Sequence, residues 1–177
     1  MTMDFFDVLK KRHSIRNYDP RPIEPGKLQR VLQAALMAPT SLDKREFRII
    51  VLNTANFGNR LRKIYDEEWF PKAPTVLAIV STHDKQSFST DFGEVDGSII
   101  MSHIILAATA EGLGTCWVGL FNTWKAAEIL KLPENVEPIA FTPIGYSKEP
   151  EGEGVKILPR LQDFVMHNEW EESKAPA

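Results

Sequence analysis

The spacing of apolar residues in the first forty positions predicts two helices. The first covers residues 4–11, and the second begins at Pro25, which suits the first turn of a helix, and runs to about residue 37. Residues 19–22 read Asp-Pro-Arg-Pro, which predicts an extended linker because each proline disfavours helix in the residue before it. Residues 39–41 end the second helix and begin a loop.

Four apolar segments downstream predict strands, at 47–52, 75–80, 115–120 and 136–146. Pro138 and Pro143 interrupt the last of them. Further helices are predicted from 53 to about 67, from a cap at Asn122 or Thr123 to about residue 131, and over 161–168, with polar loops at 83–90 and 147–154. We expect residues 169–177 to fray. The order of elements predicts a single mixed α+β domain over residues 1–177, without internal repeats.

The longest predicted helix covers residues 91–111. Asp91, with Glu94 three residues later, matches the start of a capping box, and Gly112 suits the end of the helix. This helix is apolar on most faces, which predicts burial nearly all round. In a chain of 177 residues such a helix is either the centre of the domain or part of a dimer interface.

Composition narrows the class of protein. The chain is 43% hydrophobic and 25% charged, as in ordinary globular domains, and its formal net charge of -3 argues against nucleic acid as the main partner. The N-terminus has no features of a secretory signal, and polar residues interrupt the apolar stretch 99–113, so we expect no membrane span. The single cysteine, Cys116, excludes an intrachain disulfide and fits the reducing cytoplasm.

Most familiar motifs are missing from the sequence. There is no phosphate loop of the NTPase kind, and residues 112–114 lack the third glycine of the dinucleotide fingerprint. The four histidines do not have metal-ligand spacing, so we expect no metal site. Cys116 fits a buried structural thiol better than a nucleophile, His103 fits a core histidine, and the acidic residues of 91–96 fit helix-start charges. We nominate no catalytic acid or base.

The segment Arg12-His13-Ser14-Ile15-Arg16 is the exception. Two arginines and a serine directly after a helix can gather donors around a phosphate group. The alternative is a solvated basic helix end that continues from Lys10 and Lys11. Spacing alone does not choose between these two interpretations.

Four segments, in order, resemble motifs of the FMN-dependent nitroreductase family in its compact form. They are residues 12–16 with Tyr18, the loop 34–41, residues 106–119, and residues 143–146 followed by Pro159 and Arg160. The third segment, which ends in Gly-Leu-Gly-Thr-Cys-Trp-Val-Gly, is the most specific. The resemblance covers almost the whole chain, from about residue 5 to residue 165.

The resemblance implies a fold and a set of contacts. The fold is a central mixed sheet flanked by helices, in an intertwined homodimer with two FMN sites at the interface, which would give the long apolar helix a place. Arg12 and Arg160 would meet the phosphate, and Arg16 would reach the pyrimidine edge, where a cation raises the redox potential. The full set of implied flavin contacts is Arg12, His13, Ser14, Arg16, Pro39, Thr40, Ser41, Val118, Gly119, Leu120 and Arg160. Residues 39–41 would come from the other subunit, and a backbone N–H of 118–120 would lie near flavin N5.

The sequence also departs from the family motifs. The loop continues through Asp43 to Phe47 where Asn, Gln and then Pro-Trp are usual, so a carboxylate near the flavin is unexpected. Leu158 stands where a phosphate-binding lysine often precedes Pro-Arg, and Lys156 is the candidate replacement. Only the segments 53–73 and 83–94 are long enough to form a substrate lid.

The function that the resemblance implies is NAD(P)H-dependent oxidoreduction with ping-pong kinetics. NADH or NADPH would deliver a hydride to flavin N5 and leave, and a small acceptor such as a nitroaromatic, a quinone or an activated alkene would take its place. Two alternatives stay open. One is another reaction on the same fold, such as reductive dehalogenation or flavin breakdown, and the other is a flavin storage or supply protein without reductase turnover.

Overall fold

The structure is a computed structural model that describes residues 3–82, 92–149 and 158–170. Its helices are α1 (Phe5–Lys11), α2 (Pro25–Leu36), α3 (Thr54–Phe57), α4 (Arg60–Ile64), α5 (Gly93–Ala110) and α6 (Thr123–Leu130). Its strands are β1 (Phe47–Asn53), β2 (Thr75–Thr82), β3 (Gly114–Thr115) and β4 (Val136–Gly145). Short 3-10 turns occupy Ser41–Asp43, Phe70–Lys72 and Leu161–Asp163. The predicted α+β class is confirmed.

Local chemistry accounts for several helix ends. Asp4 caps α1 by accepting a hydrogen bond from the N–H of Phe6, and Asn122 caps α6 by accepting one from Lys125. The predicted cap of α5 is not tested in full, because Asp91 lies outside the described residues. The position that precedes α5 is Phe92, whose side chain makes no capping bond.

The four strands form one sheet in the order β1-β2-β4-β3, with every ladder antiparallel. The register of β2 on β4 shifts between Ile79 and Val80, where Val80 pairs with Pro138. Proline has no N–H for the ladder, which accounts for an irregularity at this point. A parallel bridge between Ser14 and Thr115 adds the N-terminal segment to the edge of the sheet.

Strand β2 lies at the centre of the core, and its two faces are covered by different helices. Leu77 and Ile79 pack with Val31 of α2 and Ile100 of α5 in one buried cluster. Alternate residues of the same strand point to the other face, where they pack against α4, α6 and the aromatic residues Phe70 and Phe141. The result is a sheet between a layer formed by α2 and α5 and a layer formed by the short helices.

Three of the predicted elements are wrong in extent. The helix predicted over 53–67 is divided into α3 and α4, because Gly58 has a φ of 50° that a continuous helix does not allow. The strand predicted over 115–120 ends at Thr115, and only Val118 returns to pair with Phe141. The helix predicted over 161–168 is only a 3-10 turn, since a short segment with exposed apolar side chains has no packing to stabilise a helix.

Helix α5 is less enclosed than its sequence predicts. Its buried face comprises Gly97, Ile100, Met101, Ile104 and Ala108, and the other positions of 98–109 are half-buried in the single chain. Across residues 3–82, 92–149 and 158–170, no helix combines the length and hydropathy of a membrane span. The predicted loop 83–90 and the tail 171–177 lie outside the described residues.

Candidate functional site

The segment that follows α1 runs along the edge of the sheet in an extended conformation. Ile15 donates its N–H to the carbonyl of Thr115 at 2.9 Å, and Asp19 donates to Tyr146 at 2.8 Å. Because side chains alternate along extended backbone, Ile15 turns into the core while Arg12, Ser14 and Arg16 share the opposite side. The fold therefore gathers the polar residues of the predicted motif on one side.

Cys116 lies in the middle of this polar group. Its side chain is buried, and burial raises the pKa of the thiol, against the opposing effects of the Arg16 charge, a hydrogen bond with Ser14 and the Arg12 charge. Ser14 therefore contacts Cys116, and the charges of both arginines act on the thiol. The burial of the side chain confirms the interpretation of Cys116 as a buried thiol.

Glu149 joins the same cluster, and sequence reasoning missed it. One carboxylate oxygen, Oε1, accepts hydrogen bonds from the N–H groups of Arg16 at 2.8 Å and Asn17 at 3.1 Å. The other oxygen, Oε2, lies 3.8 Å from Nε2 of His13. Glu149 sits in a segment predicted only as a charged loop, so no motif or periodicity singled it out.

His13, in the same segment, has an unsatisfied ring nitrogen near Glu149. Its Nδ1 lies 2.8 Å from the carbonyl of Lys11, so the tautomer that donates from Nδ1 leaves Nε2 as an acceptor. Nε2 is buried and has no hydrogen-bond partner. A buried polar atom without a hydrogen-bond partner is costly, and a ligand hydroxyl that donates to Nε2 would satisfy it.

Aromatic residues border the cluster on the side of Arg16. The guanidinium carbon of Arg16 lies 5.7 Å from the centre of the Trp69 ring, and Trp69 packs edge to face with Tyr65 and Phe70. Tyr18 is buried, and burial, reinforced by Cys116 and Glu149, raises the pKa of its hydroxyl well above the usual range. Trp69 is the second contact that sequence reasoning missed.

The loop of residues 39–41 is anchored elsewhere, at the beginning of α5. Ser41 donates from its backbone N–H and from its hydroxyl to the carboxylate of Asp96, at 3.0 and 3.1 Å. Asp96 therefore has a specific role beyond that of a helix-start charge. The unexpected Asp43 is exposed and binds Arg45 at 2.9 Å.

The two predicted halves of the site lie at opposite ends of α5 within one chain. Asp96 and its partner Ser41 are in the first turn, whereas Ser14 pairs with Thr115, beyond the last turn. At 1.5 Å per residue, the helix between them separates these ends by roughly 20 Å. A single chain does not bring residues 39–41 to Arg12.

The predicted segment Val118-Gly119-Leu120 follows directly from Cys116. Val118 is fully engaged with Phe141, donating its N–H at 2.8 Å and accepting at 3.0 Å. The N–H groups of Gly119 and Leu120 make no hydrogen bond to the described part of the chain, and the Leu120 side chain is 88% exposed. The N–H that is available for a ligand is therefore that of Gly119 or Leu120.

Arg160 is not brought into the cluster. Its guanidinium binds the carboxylate of Asp163 at 3.0 Å through two nitrogens and is largely exposed. Leu158 is also exposed, and Lys156 lies outside the described residues. Within residues 3–82, 92–149 and 158–170 there is no group of side chains suited to a metal ion.

The residues of the cluster fit the phosphate and ribityl end of a flavin mononucleotide. The guanidinium of Arg12 can supply charge for a phosphate, and Ser14 supplies a hydroxyl. The unpartnered Nε2 of His13 and the unbonded N–H groups of Gly119 and Leu120 are polar atoms that such a ligand would satisfy. The carboxylate of Glu149 is the one feature that opposes an anion.

Comparison with known proteins agrees with this fold. The family model described as "Putative TM nitroreductase" matches residues 4–175. A protein of Methanothermobacter thermautotrophicus named "Putative NADH dehydrogenase/NAD(P)H nitroreductase" is 29% identical over 154 residues, which cover 85% of this chain and 81% of that protein.

Two solved structures from Clostridium difficile are each 30% identical to this chain. A nitroreductase family protein of strain 630 superposes with a TM-score of 0.81, covering 95% of this chain and 100% of that one. A protein of strain R20291 described as an FMN-dependent nitroreductase has a TM-score of 0.76, with 92% and 98% covered. The chain belongs to the nitroreductase family.

Proposed function

We propose that this protein is an NAD(P)H-dependent oxidoreductase that binds FMN. The observation that carries the proposal is that Ser14 and its neighbouring arginines lie along the sheet edge, where Ser14 pairs with Thr115. Nε2 of His13, in the same segment, is buried without a hydrogen-bond partner. The names of the relatives support the proposal, since one is described as FMN-dependent and another as an NAD(P)H nitroreductase.

Each residue of the cluster has a role in this proposal. Arg12, His13 and Ser14 bind the phosphate and ribityl end, and Arg16 lies at the pyrimidine edge. The N–H of Gly119 or Leu120 binds the edge of the ring, because the N–H of Val118 is occupied by Phe141. The bound flavin supplies the chemistry, accepting a hydride from NADH or NADPH and passing it to an acceptor.

We also propose that the site is shared between two subunits of a homodimer, with Pro39, Thr40 and Ser41 contributed by the second subunit. The separation of the two half-sites along α5 supports this arrangement. Apolar side chains are exposed in the single chain, including Met37 at 77% and Leu42 at 87%, which adjoin residues 39–41 in sequence, and Trp124 at 87%. Exposed apolar surface of this kind needs cover from a partner.

The proposed acceptor is a small molecule such as a nitroaromatic, a quinone or an activated alkene, and the proposed location is the cytoplasm. We further propose that residues 1–177 form one domain. Arg160 is proposed as a second phosphate ligand, which requires it to exchange its contact with Asp163 for the phosphate. Flavin storage or supply differs from the proposal in having no reductase turnover, and reductive dehalogenation or flavin breakdown differs in the reaction catalysed.

The decisive experiment begins with the spectrum of the purified protein. We expect a yellow protein that releases FMN rather than FAD, bleaches on anaerobic addition of NADH or NADPH, and oxidises the nicotinamide steadily when a quinone is present. A colourless protein that takes up no FMN on titration would refute the proposal. Flavin binding without nicotinamide oxidation would favour storage or supply.

A further inference from the structure

The proposed function assigns no role to Glu149, although this residue makes specific side-chain contacts in the cluster. Its Oε1 accepts from two consecutive backbone N–H groups, those of Arg16 and Asn17, at 2.8 and 3.1 Å. Its side chain is only 18% exposed, so the carboxylate is largely withdrawn from solvent. Hydrogen bonds to an ionised acceptor are stronger than those between neutral groups.

These bonds hold the part of the backbone that carries Arg16. The neighbouring backbone contacts, from Lys148 to the carbonyl of Asn17 and from Asp19 to that of Tyr146, bring the segment that contains Glu149 alongside. Removing the acceptor would leave two N–H groups without a partner in the protein, which destabilises the local conformation. The contact therefore fixes the backbone position from which the Arg16 side chain extends.

The same carboxylate places a negative charge inside a group of cations. Its charge raises the pKa of both Cys116 and Tyr18, against the effect of Arg16, so its field extends across the cluster. A cation near the pyrimidine edge favours the negative charge that a flavin gains on reduction, and an anion in the same cluster opposes it. Glu149 therefore weakens the electrostatic effect of Arg16.

We propose that Glu149 is a positioning residue of the flavin site, which holds the backbone at Arg16 and Asn17 and lowers the reduction potential of the bound FMN through its charge. This inference rests on the proposed function. It assigns no proton transfer to Glu149. It predicts that the hydrogen-bond acceptor and the negative charge of this side chain have separable effects.

Two substitutions separate these effects. Glu149→Gln keeps an oxygen acceptor and removes the charge, whereas Glu149→Ala removes both. Glu128→Gln is the control, because Glu128 is an exposed carboxylate that pairs with Lys125 on α6 and its loss changes the net charge equally. Each protein is titrated with FMN, and its potential is measured against a reference dye.

In Glu149→Gln we expect the reduction potential of the bound FMN to rise. At a fixed applied potential the ratio of oxidised to reduced FMN should fall about tenfold, which corresponds to a rise of about 30 mV for a two-electron couple. Glu149→Ala should bind FMN about tenfold more weakly than Glu149→Gln. Hydrogen exchange of the Arg16 and Asn17 amides in the FMN-free protein should accelerate in Glu149→Ala and not in Glu149→Gln. The control variant should match the wild type in all three measurements.

An unchanged potential in Glu149→Gln overturns the inference, and so does equal FMN affinity and equal amide exchange in the two variants. A wild-type protein that binds no FMN instead refutes the proposed function and the effect on potential together. The exchange comparison does not need flavin, so it still decides whether Glu149 holds the backbone.

Discussion

Gly114 and Gly145 stand opposite each other in the ladder between β3 and β4. Both are closely approached: a Cβ atom on Gly114 would lie 2.6 Å from Cγ1 of Ile15, and one on Gly145 would lie 2.7 Å from Cδ of Pro74. The two glycines belong to different sequence motifs. The missing side chain of Gly114 lets Ile15 lie against the sheet, and that of Gly145 leaves room for Pro74. The position of the segment that carries the arginines therefore depends on Gly114.

Gly114→Ala is expected to destabilise the protein by about 1–3 kcal/mol, because the added methyl group meets a buried side chain. It should also weaken FMN binding, since Ile15 lies between Ser14 and Arg16. The control is Gly26→Ala, whose Cβ would make an ordinary contact at 3.5 Å in α2 and should change stability by less than about 1 kcal/mol. Denaturant unfolding and FMN titration of both variants provide the test, and equal behaviour would contradict the proposed packing.

Arg12→Ala should weaken FMN binding by roughly ten- to a hundredfold, which corresponds to the loss of a charge-assisted bond of about 1.5–3 kcal/mol. Riboflavin, which lacks the phosphate, should bind far more weakly to the wild type and lose little further affinity in the variant. Arg62→Ala is the matched control, because Arg62 pairs with Asp66 on the surface. Equal binding of riboflavin and FMN to the wild type would show that Arg12 does not meet a phosphate.

Arg160→Ala should weaken FMN binding less than Arg12→Ala does. Arg160 must first give up its two bonds to Asp163, which reduces the net gain from a phosphate contact. Asp163→Ala frees the guanidinium and is expected to tighten FMN binding by a few-fold. Titration of Arg160→Ala and Asp163→Ala with FMN tests whether Arg160 binds the phosphate. An unchanged FMN affinity in both variants would exclude Arg160 from the site.

A mixed dimer tests whether the site is shared. Arg12→Ala and Pro39→Trp change different half-sites, and Pro39 is exposed, so the fold should accept the larger side chain. When the two variants are combined in one dimer, a shared site regenerates one intact FMN site, composed of the unmodified half of each chain. A site within one chain would carry a defect in every copy.

The measurement uses two different affinity tags to isolate the mixed dimer and an FMN concentration near the wild-type Kd. We expect about half of the wild-type FMN per dimer, against little in either parent. Recovery of no flavin, or a folded wild-type monomer at full occupancy, would contradict the shared site.

Cys116 is expected to be unreactive in the folded protein. Its thiol is buried and burial raises its pKa, so at pH 8 the thiolate is rarer than in a free thiol of ordinary pKa. A disulfide reagent should therefore react with the native protein about a hundredfold more slowly than with glutathione, and quickly with one thiol after unfolding. Rapid native reaction would mean that the segment around Cys116 opens.

Much of the fold could be predicted from the sequence. Helices α1, α2 and α6 follow from apolar periodicity and from caps such as Asn122, and β2 follows from a continuous apolar run that can only be buried on both faces. The resemblance on four motifs predicted the family, which is confirmed. Its implied flavin contacts stay predictions.

The extent of several elements could not be predicted, since packing decides it. The segment 115–120 has the composition of a strand, yet it leaves the sheet after Thr115 because only Val118 finds a partner, in Phe141. The break at Gly58 depends on a positive φ that the surrounding chain imposes. Neither feature leaves a distinctive local pattern.

The sequence by itself determined which residues can bind an anion, because arginine, histidine and serine are recognisable by their chemistry and by their order after α1. Only the tertiary structure decided which residues surround them. Glu149 lies 133 residues beyond Arg16, and Asp96 lies 55 residues beyond Ser41, so neither contact appears in any local spacing. Such pairs form because the sheet and α5 bring distant segments together, and that arrangement follows from the packing of the whole core.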